Sequence, residues 1–84
     1  MMIPVGYGNL VKSSLIVAIL KPDSSPLKKL RHKAESERML LNATSGRKAR
    51  SLIVMESNHI ILSALQTETL KQRLDVNKSK GSLV

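Results

Sequence analysis

Two nearly continuous apolar runs, SLIVM at residues 51–55 and HIILSAL at residues 59–65, dominate the hydrophobic pattern of this chain. Glu56-Ser57-Asn58 separates them, so the pattern predicts a hairpin with strands over Ser51–Met55 and His59–Ala64. Neither run alternates cleanly between apolar and polar positions. Strands read this way when both of their faces are covered.

Weaker patterns precede the hairpin. Met2–Val5 reads as a short strand closed by the turn Gly6-Tyr7-Gly8-Asn9, where the two glycines, Gly6 and Gly8, have a structural role and at least one residue is expected at positive φ. Leu10–Leu20 reads as a second strand whose polar middle, Lys12-Ser13-Ser14, marks a bulge or bend, and Pro22 ends it. Ser24 or Ser25 then caps a helix, with Pro26 placed at its start, where a missing N–H costs nothing. Leu27, Leu30 and Ala34 form its apolar stripe. Leu40-Leu41 is a short strand, and Thr44-Ser45-Gly46 turns the chain. A last helix starts with Thr67 as its cap and turns Leu70 and Leu74 inward. From residue 76 on, VNKSKGSLV is polar and aperiodic and is expected to be disordered. The order is β-β-α-β-β-β-α: an α+β domain over residues 1–75, built as a small antiparallel sheet with two helices, followed by a basic tail over 76–84.

At 84 residues the chain is one domain and buries only about 60% of its unfolded surface, so its stability is thin. Cysteine is absent, which removes disulfides and thiolate zinc sites, and His32 and His59 share no ligand spacing. No cofactor or metal is expected. Two short helices fall short of covering both faces of the sheet, so another copy of the chain is expected to cover one face or edge, making a homo-oligomer. The N-terminus lacks the basic and apolar regions of a secretory signal, and the longest apolar run, Leu15–Leu20, is too short to span a membrane. The expected location is the cytoplasm, with no membrane partner.

Charge changes the picture most. Fourteen Lys and Arg against six Asp and Glu leave a formal net charge of +8, which favours a polyanionic partner. The cations concentrate in two places. Lys28 and Lys29 lead a basic cluster in the first helix, near the end where the macrodipole disfavours positive charge. Arg47, Lys48 and Arg50 directly follow Gly46, a residue that permits close backbone approach to a phosphate. Catalysis is not expected: His59 beside Ser57 and Asn58 has no acidic partner in a recognisable relation, and such residues ordinarily make a turn. GYGN has neither phosphate-loop spacing. A single aromatic, Tyr7, is too few for stacking on single strands or for an RNA-binding sheet, so duplex DNA is the better fit.

The segments GYGN, PDSSPLKKL, NATSGRKAR and HIILSALQTETLKQRL together resemble the bacterial RemA family, regulators of extracellular-matrix genes, over residues 5 to 74. The resemblance implies a non-enzymatic, nucleoid-associated transcription regulator in biofilm-matrix control. It also implies a ring-shaped homo-oligomer, commonly an octamer, that presents basic residues to double-stranded DNA. On this chain those residues are Arg47, Lys48 and Arg50, with Lys28 and Lys29 as further DNA-binding candidates and Gly6, Gly8, Pro26 and Gly46 as structural positions. No small-molecule substrate is implied. Four positions depart from the family pattern. Leu15 replaces an arginine implicated in DNA contact, and Arg47-Lys48 replaces an arginine pair, losing one guanidinium fork. Asn42 replaces an acidic residue, and Thr67 a proline. The Leu15 change opens the alternative of an oligomeric scaffold whose DNA binding is weak or lost.

Overall fold

The apolar hairpin forms the centre of the protein. In the computed structural model, which describes the backbone of residues 1–82 and the side chains of residues 1–76, β5 (Ser51–Met55) and β6 (Ile60–Ser63) pair antiparallel. Ile53 opposes Ile61 on one face and Leu52 opposes Leu62 on the other. All of these side chains are buried, as the lack of alternation predicts.

The covering layers come from the chain itself. On one face, Ile53, Met55 and Ile61 pack with Ile3 and Val5 of β1 (Met2–Gly6), Val11 of β2 (Asn9–Lys12), and Leu70 of α2 (Thr67–Ser82). On the other face, Leu52, Ile60 and Leu62 pack with Ala34, Leu27 and Leu30 of α1 (Ser25–Ser36). This corrects the premise that another copy is needed to bury the hairpin. The β1–β2 ribbon is the third cover, and nothing in its short, irregular sequence marks it as a lid.

The single expected sheet is also corrected. Two sheets form: a two-stranded one, β1–β2, and a four-stranded one ordered β3-β5-β6-β4, with β3 at Ile16–Leu20 and β4 at Leu40–Asn42. The second sheet is mixed, because β4 runs parallel to β6. The expected strand over Leu10–Leu20 splits between the two sheets at its polar middle, where Ser13–Leu15 make a 3₁₀ turn. Ser13 anchors that break, since both its backbone N–H and its hydroxyl donate to the carbonyl of Met1, each at 2.8 Å.

The first helix starts as its sequence predicts. Ser24 is the N-cap, through its backbone carbonyl rather than its hydroxyl, and Pro26 lies in the first turn, where its missing N–H leaves no bond unmade. Thr67 is corrected from cap to first residue of α2, and the carbonyl of Gln66 accepts the bond from the Leu70 N–H. Arg73 of α2 donates its Nη1 to the carbonyl of Pro4 at 2.9 Å, tying the helix to β1. Of the tail expected to be disordered, 76–84, the backbone as far as Ser82 continues α2, and 83–84 lie outside the described residues.

Candidate nucleic-acid interface

The loop between β4 and β5 carries the strongest basic constellation, and its backbone is closely determined. Asn42 Oδ1 accepts from the Thr44 N–H at 2.9 Å and from the Thr44 hydroxyl at 2.6 Å. Ala43 and Thr44 are buried, and the Ala43 N–H donates to the Leu62 carbonyl. The Arg47 N–H then closes a turn onto the Thr44 carbonyl at 3.0 Å. Its two central residues, Ser45 (φ 53°) and Gly46 (φ 81°), are both left-handed, as a type I′ turn requires. A methyl group at Gly46 would meet nothing within 4 Å, so backbone conformation, not space, selects the glycine. Further on, Ala49 packs against the face covered by α1, and the Arg50 N–H donates to the Ser63 carbonyl at 2.8 Å. With Ala49 turned in, Arg47, Lys48 and Arg50 are all exposed.

Tertiary packing adds a cation that no local sequence signal marked. A polar cleft of about 220 Å³ beside this loop is lined by Lys48 and Arg50 together with Lys21, Asp23 and the first residues of α2, Thr67 and Glu68. Lys21 reaches it because β3 runs antiparallel to β5, which sets the end of β3 beside the start of β5. The two carboxylates offset part of the charge on this side of the loop. Lys28 and Lys29 are exposed on α1, whose Leu27 and Leu30 share an apolar cluster with Ala49. The helix that carries Lys28 and Lys29 and the loop that carries Arg47, Lys48 and Arg50 thus both pack on the face of Leu52, Ile60 and Leu62.

The positions at which the resemblance implies departures from the family pattern now have locations. Asn42 does what an aspartate would do for the turn, accepting both bonds of Thr44, while removing a negative charge five residues from Arg47. Leu15, the last residue of the 3₁₀ turn, is exposed just before β3, where its carbonyl accepts from the Glu56 N–H. One strand length, about 16 Å, separates that end of β3 from the end that adjoins the Arg47–Arg50 loop. An arginine there would not join the loop cations within one protomer.

Ser57 and His59 do meet, Oγ to Nδ1 at 2.6 Å, on the exposed β5–β6 turn. No carboxylate accepts a hydrogen bond from His59 among the described residues, so the triad arrangement that would activate a serine is incomplete. Also among the described residues, no three of His, Asp and Glu come together to hold a metal. No described helix is long and apolar enough to cross a membrane.

The sequence has close relatives among bacterial proteins. A protein of Nitratidesulfovibrio vulgaris is 54% identical over 72 residues, covering 86% of this chain and 82% of the relative. One of Thermotoga maritima is 50% identical over 76 residues, covering 90% and 83%. One of Finegoldia magna is 46% identical over 76 residues, covering 90% and 92%. All three are provisionally named regulatory proteins. The family model of extracellular matrix regulatory protein A-like proteins matches residues 2–74. The chain thus belongs to the RemA-like family of regulatory proteins.

Proposed function

We propose that this chain is a non-enzymatic transcription regulator that binds duplex DNA through the Arg47–Arg50 loop, as a ring-shaped homo-oligomer, in control of matrix genes. The observation that carries the reading is the loop itself: a backbone pinned by Asn42, Thr44 and Ser63 that holds Arg47, Lys48 and Arg50 in solvent. Pinned cations meet a regular array of phosphates with little ordering cost, and each neutralised phosphate releases counterions. Lys21 lines a cleft with Lys48 and Arg50, and Lys28 and Lys29 are further exposed cations, on the helix whose Leu27 and Leu30 share a cluster with Ala49.

Self-assembly has its own support. Among the described residues no strand pairs with the outer edge of β3 or β4, and each of these strands carries an exposed apolar side chain, Val17 on β3 and Leu41 on β4. Val17 sits at a register shift between Ile16 and Ala18, and an open apolar cleft of about 630 Å³ runs between β3 and Leu74 of α2. Open apolar strand edges are surfaces that proteins cover. Repetition around a ring would turn a weak phosphate contact into strong overall binding.

The test is light scattering on a sizing column, with and without a long duplex, followed by salt titration. A large oligomer that shifts with DNA is expected, with a slope of log K against log salt of about −2.7 per engaged protomer for three phosphate contacts. A second reading, an oligomeric scaffold with weak DNA binding, is favoured by Leu15, an apolar residue where the family carries an arginine. A large oligomer that ignores duplex at low salt would select it.

A further inference from the structure

Tyr7 is the only aromatic residue of the chain, and the fold puts it in an unusual place. It sits at the apex of the β1–β2 hairpin, 55% exposed, in a two-residue turn with Gly8. Three successive residues are left-handed there: Gly6 at φ 109°, Tyr7 at 54° and Gly8 at 80°. Glycine takes such angles freely, but a bulky L residue does so at a cost, which is why Asn-Gly dominates these turns. The side chain of Asn9 holds the turn, donating its Nδ2 to the Gly6 carbonyl at 3.0 Å. The ring is thus presented to solvent by a backbone arranged against its own preference.

The position of that turn links it to the basic loop. The buried hydroxyl of Ser63 donates to the Val5 carbonyl at 2.7 Å, and Gly6 lies against Leu65. The same short segment holds the other side: the Ser63 carbonyl accepts from the Arg50 N–H, and the Leu65 carbonyl accepts from the Ser51 hydroxyl at 2.9 Å. Tyr7 and Arg50 therefore hang from one three-residue stretch, at one end of the central hairpin.

We infer that Tyr7 is a positioning residue for duplex DNA, its hydroxyl donating to a phosphate beside those met by the loop cations while its ring lies on the adjoining deoxyribose. A neutral hydroxyl donor is a common phosphate contact and sets the register of a protein on the duplex. One ring at a turn apex serves that purpose, whereas a stacking platform for single strands needs several. The inference rests on the DNA-binding reading above. The competing occupant is a second copy of the chain, because Leu10 and Met2 are exposed on the same hairpin.

With one tyrosine and no tryptophan, the intrinsic emission of the intact protein reports Tyr7 alone. Acrylamide is expected to quench that emission in the free oligomer and to lose access when a long duplex is added. Tyr7→Phe is expected to weaken duplex binding about tenfold, the loss of a hydrogen bond to a charged group, and Tyr7→Ala to weaken it further. Neither changes the slope of log K against log salt, since no charge is removed, nor the mass by light scattering. Emission already shielded in the free oligomer, a changed mass in Tyr7→Ala, or unaltered affinity in both variants would overturn the role while leaving DNA binding by the wild type in place. Failure of the wild type to bind duplex would instead remove the DNA-binding reading and this inference with it.

Discussion

The β5–β6 hairpin and the loop that enters it, residues 42–50, are neighbours in sequence and opposite in design. In the hairpin, side chains do the work. Apolar groups face two covers, and the two polar members, Ser51 and Ser63, spend their hydroxyls on the carbonyls of Leu65 and Val5. In the loop, the backbone and two short polar side chains do the work, and the long charged side chains are left in solvent. Such a division separates stability from recognition. Changes in the hairpin should act on everything, and changes in the loop cations should act on binding alone.

The largest expected effect is on the hairpin. Ile53→Ala deletes a fully buried side chain from the two-cover centre and should cost about 3–4 kcal/mol, a large part of the stability of so small a domain. Chemical denaturation measures it, and assembly and DNA binding should fall together. If assembly survived unchanged, the two regions would be less coupled than the packing implies.

Next comes the loop. Arg47→Ala with Arg50→Ala should lower the salt slope by about 1.8 per engaged protomer and weaken duplex binding more than tenfold at low salt. The melting temperature should stay where it was. Unaltered affinity would move the contact surface away from this loop.

Gly46→Ala crosses the boundary between the two regions. The added methyl finds space, but φ 81° strains it by about 1 kcal/mol, so the turn should loosen and binding should fall several-fold with modest loss of stability. An unchanged thermal midpoint and affinity would mean that the turn does not hold the cations. The smallest effect is expected from Asn42→Asp, which keeps both acceptor bonds to Thr44 and adds a negative charge. It should leave the melting temperature unchanged and reduce duplex affinity slightly, more at low salt than at high salt. Asn42→Ala, in contrast, removes the acceptor and should destabilise the turn.

Much of this was readable in the chain. The runs at 51–55 and 59–65 admit few readings other than a doubly covered hairpin, and Ser24 and Pro26 announce the first helix. The Arg47–Arg50 cluster needs only counting to be noticed. Less accessible were the features that depend on distant partners. Lys12-Ser13-Ser14 signals a break, but a bulge and a change of sheet look alike until Met1 is found accepting two bonds from Ser13. Three residues of β4 are too few to reveal a parallel partner. Lys21 follows a strand like any other lysine, and only the antiparallel pairing of β3 with β5 sets it beside Lys48 and Arg50.

By itself, then, the sequence determined the apolar centre, the main helix start, the places of the two glycine turns and the excess positive charge, because each depends on the type and spacing of residues close along the chain. Tertiary structure alone decided that the hairpin is covered on both faces within one chain, that one long strand becomes two in different sheets, and that Tyr7, Lys21 and the 47–50 loop gather at one end. Those outcomes depend on contacts between residues as far apart as Val5 and Ser63, and packing and hydrogen bonding at that separation leave no local pattern to read.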